Sequence, residues 1–185
     1  MRHYSVQRFT ADIAADDYIR GFRDEPRFLA LCRECPNYGN SWGCPPFDFD
    51  TETELRRYRY AHLIAVKIIP EESDIPLDEA QKLILPERMK LEQELLGLEK
   101  RIGGRSFAYI GKCLHCPDGA CTRRCGLPCR HPEKVRPSLE AFGFDISRTL
   151  SELFGIRLLW GKDGVIPEYL TLVCGFFHNC DTATF

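Results

Sequence analysis

The sequence predicts a single α+β domain, with a mixed β-sheet flanked by helices and with cysteine-rich metal-binding loops beside it. An apolar run rich in β-branched residues and a second strand-like segment lie on either side of a helical stretch, which is the order of a β-α-β unit. At 185 residues the chain is long enough to bury about 70% of its unfolded surface in one core. Because no linker, repeat or low-complexity stretch divides it, we expect one domain over residues 1–185.

Hydrophobic periodicity predicts the elements of the first half. Moderate alternation predicts a strand over residues 3–9, and a short helix follows over residues 12–23. An apolar, β-branched run that ends at Pro70 predicts a strand over residues 61–69, buried on both faces. The stretch 35–46 between them is so rich in proline and glycine that it predicts a tight loop.

Helix signals fill the crossover after this strand. One helix is expected to open at Pro76 and a second at Pro86, with leucines at helical spacing along the second. Gly103 and Gly104 are expected to end it. A strand over residues 106–110 would then deliver the chain into the densest group of cysteines.

The last third predicts two helices and a hairpin. A short helix starts near Pro137, and Asp145 is the expected N-cap of the next helix, which ends at Gly155. Residues 156–160 and 168–177 are expected to pair as a β-hairpin around an Asp-Gly turn.

Charge and hydropathy exclude several classes of function. A net charge of −2 and a pI near 6.2 give no field that would hold a nucleic-acid backbone. The apolar runs fall far short of the ~20 residues that a bilayer requires. The chain opens without an apolar signal segment, so a cytoplasmic location is expected. Phosphate-loop, dinucleotide-binding and nucleophile-elbow motifs are missing, which leaves enzymatic activity undecided.

Eight of the ten cysteines are expected to bind metal, because thiolates a few residues apart can converge on one soft-metal centre. They lie in two loops, residues 32–46 and 113–132. The eight are Cys32, Cys35, Cys44, Cys113, Cys116, Cys121, Cys125 and Cys129. The downstream run is C-x2-C-x4-C-x3-C, a variant of the ferredoxin run C-x2-C-x2-C-x3-C-P. Cys174 and Cys180 are expected to be structural, since free cysteine is commonly buried.

Eight thiolates are the number that two [4Fe–4S] clusters need, so the sequence predicts one or two such clusters. One division gives the first centre Cys113, Cys116, Cys121 and Cys125, and gives the second Cys32, Cys35, Cys44 and Cys129. Ligands cross between centres in two-cluster ferredoxins, so other divisions stay open. The alternative is a zinc-binding interaction module, with Cys32, Cys35, Cys113 and Cys116 as a structural four-cysteine site.

A basic collar surrounds the downstream cysteines. Its members are Lys112, Arg123, Arg124, Arg130, His131, Lys134 and Arg136. Such a collar would stabilise a negatively charged cluster or attract an acidic redox partner protein, although solvated surface charge explains it equally well. Trp42, between two upstream cysteines, would either shield a cluster from water or pack in the core.

Three cysteine-bearing segments carry a resemblance to a known family. They are Cys32-Arg-Glu-Cys35, Trp42-Gly-Cys44-Pro-Pro, and the stretch from Gly126-Leu-Pro-Cys129-Arg-His-Pro132 through Arg136-Pro-Ser-Leu-Glu-Ala-Phe-Gly-Phe-Asp145. Together they resemble a family of predicted metal-binding prokaryotic proteins of unknown function. The resemblance implies a metal and no particular reaction. From the residues themselves we expect electron transfer to or from a partner.

Overall fold

A computed structural model describes residues 3–108, 111, 113–117 and 120–181. Its four strands are β1 (Tyr4–Ala14), β2 (Tyr60–Pro70), β3 (Arg105–Phe107) and β4 (Leu170–His178). Its α-helices are α1 (Ala15–Phe22), α2 (Glu25–Arg33), α3 (Thr51–Leu55), α4 (Ala80–Ile102) and α5 (Ile146–Phe154). The strands form one sheet in the order β1-β2-β4-β3. The α+β prediction is therefore confirmed.

The predicted β-α-β unit exists, but it is split. Strands β2 and β3 both pair antiparallel with β4, so they run parallel to each other with β4 between them. Helix α4 makes the crossover. Every strand pairing among the described residues is antiparallel, whereas the sequence predicts a mixed sheet. The difference arises because the C-terminal strand inserts between the two strands that the crossover joins.

Strand β1 is longer than the sequence predicts. Its register runs from Tyr4 opposite Pro70 to Ala14 opposite Tyr60. The predicted helix over residues 12–23 is therefore wrong in its first turn, and α1 begins only at Ala15. Continuous pairing with the long strand β2 overrides the helical pattern there.

The two helices predicted in the crossover are one helix. Only a short 3₁₀ turn, Leu77–Glu79, precedes α4, and Pro86 lies inside α4. A proline inside a helix costs about 3 kcal/mol. Leu83, Leu91 and Leu95 bury one face of α4 on both sides of that proline, which offsets the cost. Gly103, with φ of 71°, ends the helix as predicted.

The C-terminal hairpin prediction is wrong in its first strand. Residues 156–160 form no strand, because β4 already pairs with β2 on one side and β3 on the other. The chain turns at a bridge between Lys162 and Val165. Helix α5 is confirmed: the Asp145 side chain accepts a hydrogen bond from the Arg148 N–H at 2.9 Å. The helix expected near Pro137 is a 3₁₀ turn, Glu140–Phe142.

Both faces of the two central strands, β2 and β4, are buried, as the apolar run of β2 predicts, whereas the edge strand β1 has no fully buried residue. Residues on one face of β2, such as Leu63, pack against α1 and α5. Residues on the other face, such as Ile64, pack against α4. None of the eight candidate metal-binding cysteines belongs to either core cluster. The core therefore forms from apolar residues, and the cysteine loops lie outside it.

The predicted strand over residues 106–110 is confirmed in part. Strand β3 ends at Phe107, and Tyr109 and Ile110 lie outside the described residues. No helix among the described residues is long and apolar enough to cross a membrane.

Candidate metal centre

The upstream cysteines lie where α2 ends in a series of turns. Cys32 is in the last turn of α2, and the Cys35 N–H donates to the Cys32 carbonyl at 3.0 Å. Further along, the Cys44 N–H donates to the Ser41 carbonyl at 3.0 Å. The N–H of Gly39, a residue with φ of 67°, donates to the Pro45 carbonyl at 2.8 Å and closes the loop. The predicted loop is confirmed.

The three upstream thiols influence one another electrostatically. Burial raises the pKa of Cys32, and the Cys35 thiol raises it further. Burial also raises the pKa of Cys44 to about 11, with smaller contributions from Cys35 and Cys32. The Cys35 thiol thus opposes the ionisation of both Cys32 and Cys44, which shows that it lies close to both. A bound cation removes that opposition, because a coordinating thiol loses its proton.

Four downstream cysteines line one cavity of about 530 Å³. They are Cys113, Cys116, Cys121 and Cys129. Burial raises the pKa of Cys129, and the other three thiols raise it further although the His131 N–H, which donates to its sulfur, lowers it. These four side chains therefore form one group of soft donors.

A tight turn explains why Cys129 joins this group. The chain makes a 3₁₀ turn, Thr122–Cys125, that ends at Gly126 with φ of 66°. The Thr122 hydroxyl then donates to the Pro128 carbonyl at 2.8 Å. This reversal brings the chain back to the cavity at Cys129 and leaves Cys125 exposed.

The cysteines that line the cavity differ from the first centre in the one division of ligands that the sequence suggests. That division gives Cys125 to the first centre and Cys129 to the second. In the structure Cys129 lines the cavity with the first three downstream cysteines, and Cys125 does not line it. Sequence spacing alone cannot show this, because the reversal depends on the Thr122 hydrogen bond and on the left-handed conformation of Gly126.

The cavity lies between the two cysteine loops. Asn37, Ser41 and Trp42 of the upstream loop contribute to its wall. Two histidines also line it, with the ring centres of His115 and His131 6.2 Å apart. His115 Nε2 lies 2.8 Å from a carboxylate oxygen of Glu92, on α4.

Trp42, which lines this cavity, carries a buried polar atom. Within the described part of the chain, its indole Nε1 has no hydrogen-bond partner. A buried donor without a partner is rare, because it costs about 1–3 kcal/mol. An indole N–H can donate to a thiolate or a sulfide, so its place fits a sulfur-ligated group in the cavity.

Arg123 joins the two cysteine loops. The sequence does not predict this role, because Arg123 is one of several basic residues of the collar. Its guanidinium donates to the main-chain carbonyl of Ser41 at 2.6 Å, and also to the carbonyls of Cys44 and Pro46. The same group lies over the Trp42 ring, 5.2 Å from its centre. The planar guanidinium suits several acceptors at once. No local sequence signal separates Arg123 from its basic neighbours.

The other collar residues have different roles. Arg136 forms an ion pair with Glu99, and both side chains are largely buried, so Arg136 is not a solvated surface charge. Arg130 donates to the Ala120 carbonyl at 3.1 Å. Arg124 lines the cavity. Lys112 lies outside the described residues.

The two remaining cysteines lie apart from this site. Cys174 is fully buried in the core beside α4, and burial raises its pKa to about 12. The Cys180 thiol lies 3.8 Å from the Ile102 carbonyl. The described residues contain no group of three histidine, cysteine, aspartate or glutamate side chains arranged around a single metal ion. The ligand role of the eight cysteines stays a prediction.

The fold and the donors define the class of protein: an α+β protein with thiol-lined loops of the type that binds soft metals. The family model described as "Predicted metal-binding protein (DUF2284)" matches residues 19–174, so the chain belongs to this family. The match confirms the resemblance carried by the cysteine segments. No curated protein and no solved structure matches the chain.

Proposed function

We propose that this protein holds two [4Fe–4S] centres and passes electrons to or from a partner protein. The observation that carries the proposal is the lining of one 530 Å³ cavity by four cysteines. A zinc ion draws its four sulfurs to about 2.3 Å from one point. A four-iron cluster takes one thiolate on each iron, so its ligands surround a larger volume.

The first centre takes Cys113, Cys116, Cys121 and Cys129 as its ligands. Trp42 supports the same centre, because its indole N–H would donate to a sulfur of the cluster. Hydrogen bonds to cluster sulfurs are one of the means by which a protein sets the reduction potential. Arg124, which also lines the cavity, supplies positive charge opposite the net negative charge of the four-thiolate centre.

The second centre takes Cys32, Cys35 and Cys44, with Cys125 as the fourth ligand. Two observations support Cys125. It lies two residues from Arg123, whose guanidinium bonds the carbonyl of Cys44. It is also the fourth cysteine of the ferredoxin-like run, the position that in two-cluster ferredoxins binds the other cluster.

Complete thiolate ligation favours electron transfer over substrate chemistry. A cluster bound by four protein ligands leaves no iron open to a substrate, so it supplies one-electron transfer when bound. The cysteines of the chain would hold each cluster. Cys35 and Cys125 lie at the exposed surface. Arg130 and Lys134, beside the site, favour a partner with an acidic face.

Reversible reduction tests this function. Protein purified without oxygen should be brown, lose visible absorbance on reduction by dithionite, and recover it when a protein electron acceptor is added. A Cys116→Ser variant should lose part of that absorbance, whereas the matched Cys180→Ser variant should keep all of it. A colourless protein with bound zinc would overturn the proposal and favour the zinc-binding module.

A further inference from the structure

A second concave surface, here called the Trp160 groove, is lined in part by two of the upstream cysteines. It has a volume of about 850 Å³. Its lining includes Phe28, Leu31, Cys32, Cys35, Glu140 and Trp160. Sites for small organic molecules span about 300–1,000 Å³ and are mostly apolar with a few polar groups. The groove fits this description in both size and lining.

Two of its apolar residues are largely exposed. Trp160 is 79% exposed and Leu31 is 58% exposed. Exposed apolar side chains that lie together mark interaction sites, and ligand-binding grooves are among them. A flat indole face is suited to stacking on a planar ring.

Glu140 is one of several polar residues that line the groove. Its carboxyl oxygen Oε2 is buried and, within the described residues, has no hydrogen-bond partner. Most buried polar side-chain atoms have a partner, and one without a partner calls for an explanation. A polar group of a bound ligand would supply it.

We propose that the Trp160 groove binds a small, planar, largely apolar molecule whose polar head hydrogen-bonds to Glu140. The ring of the ligand packs on Trp160, and its amide or hydroxyl head donates a hydrogen bond to the carboxyl oxygen. Since Cys32 and Cys35 line the same groove, the ligand lies beside the second centre of the proposed function. Binding itself requires no electron transfer, so it can be tested separately.

Equilibrium dialysis of the full-length, anaerobically purified protein tests the proposal with two probes. The first is 2-naphthamide, which has a flat ring and an amide head, and the second is 2-ethylnaphthalene, which lacks the polar head. We expect saturable binding of 2-naphthamide at one molecule per chain. Glu140→Met should weaken that binding about tenfold, the effect of losing one hydrogen bond to a buried group, and should leave 2-ethylnaphthalene binding unchanged.

Three further variants complete the design. Glu140→Gln retains a polar head and should bind 2-naphthamide almost as the unchanged protein does. Trp160→Ala should weaken both probes, and since Trp160 is mostly exposed this variant should fold even if Glu140→Met does not. Glu133→Gln, at an exposed position outside the groove, should change nothing.

Two results would overturn the groove: no saturable binding of either probe, or binding that both Trp160→Ala and Glu140→Met leave unchanged. Iron and sulfide are measured on the same samples. If the samples contain all eight irons but bind neither probe, ligand binding in the Trp160 groove is rejected and the proposed function stands. If they bind the probes but contain no iron, the proposed function is rejected and ligand binding stands.

Discussion

Arg123 donates a hydrogen bond to the main-chain carbonyl of Ser41 at 2.6 Å, across 82 residues of sequence. The bond holds the upstream cysteine loop against the downstream one, and the carbonyls of Cys44 and Pro46 accept from the same guanidinium. Within the described part of the chain, Arg123 therefore links the two groups of cysteines directly. The first two predictions concern this arrangement.

Arg123→Lys should loosen the two loops while keeping the charge. A lysine ammonium cannot reach three carbonyls with the geometry of a guanidinium. Losing hydrogen bonds from a charged donor should lower the free energy of unfolding by about 2–3 kcal/mol, and the iron content should fall. Urea unfolding and iron analysis measure both effects. The control is Arg101→Lys, at an exposed position on α4, and equal losses in the two variants would refute the role of Arg123.

Cys129→Ser and Cys125→Ser should each remove one centre, and a different one. Each variant should therefore keep about four of eight irons. Combining Cys129→Ser with Cys113→Ser should remove no more iron than the single change, because both residues belong to one centre. Combining Cys129→Ser with Cys32→Ser should remove nearly all of the iron, because the two residues belong to different centres. If instead the combination with Cys32→Ser removed no more iron than the single change, and the combination with Cys113→Ser removed nearly all of it, Cys129 would belong to the second centre.

Trp42→Phe should lower the reduction potential of one centre without changing the iron content. Phenylalanine keeps an aromatic ring for Arg123 to cover but has no N–H to donate. If the bond is stronger by about 0.5–1.5 kcal/mol when the cluster is reduced, its removal lowers the potential by about 20–60 mV. A redox titration followed by absorbance measures it, with Trp160→Phe as the control. An unchanged potential would mean that the indole does not contact the cluster.

The Glu99–Arg136 pair should make stability depend on acid pH. Burial raises the pKa of Glu99, but hydrogen bonds from Arg136 and from the Ser106 N–H outweigh it and lower the pKa below the ordinary value of 4.5. A carboxylate with a lowered pKa stabilises the fold above pH 4.5, and that contribution is lost as the pH falls further. Glu99→Gln lacks the charge, so it should cost about 3 kcal/mol near neutral pH.

Urea unfolding of both proteins in the metal-free state, from pH 7 down to pH 3.5, measures this difference. The difference in the free energy of unfolding between the unchanged protein and Glu99→Gln should be constant above about pH 5 and should become smaller below about pH 4.5. A gap that stays constant over the whole range would show that the pair does not stabilise the fold through its charge.

The sequence predicts the elements whose signals are local. Strand β2 follows from its β-branched run, and α5 follows from its Asp145 cap and Gly155 end. Elements that depend on distant partners are missed. The first residues of the helix predicted over residues 12–23 belong to strand β1, because they pair with β2. Residues 156–160 form no strand, because both edges of β4 are already paired.

The same distinction holds at the candidate site. The spacing of the cysteines identifies the two loops, and proline and glycine predict the turns between them. The grouping of Cys129 with the first three downstream cysteines depends on the Thr122 hydrogen bond to Pro128. The contact between Arg123 and Ser41 joins residues that are far apart in sequence. Neither relationship has a local signal, so the sequence alone could not predict it.

The most direct test of the account is the content of iron, acid-labile sulfide and zinc per chain in protein purified without oxygen. Two four-iron centres predict about eight irons and about eight sulfides, with no stoichiometric zinc. One or two zinc ions per chain without sulfide would contradict the account.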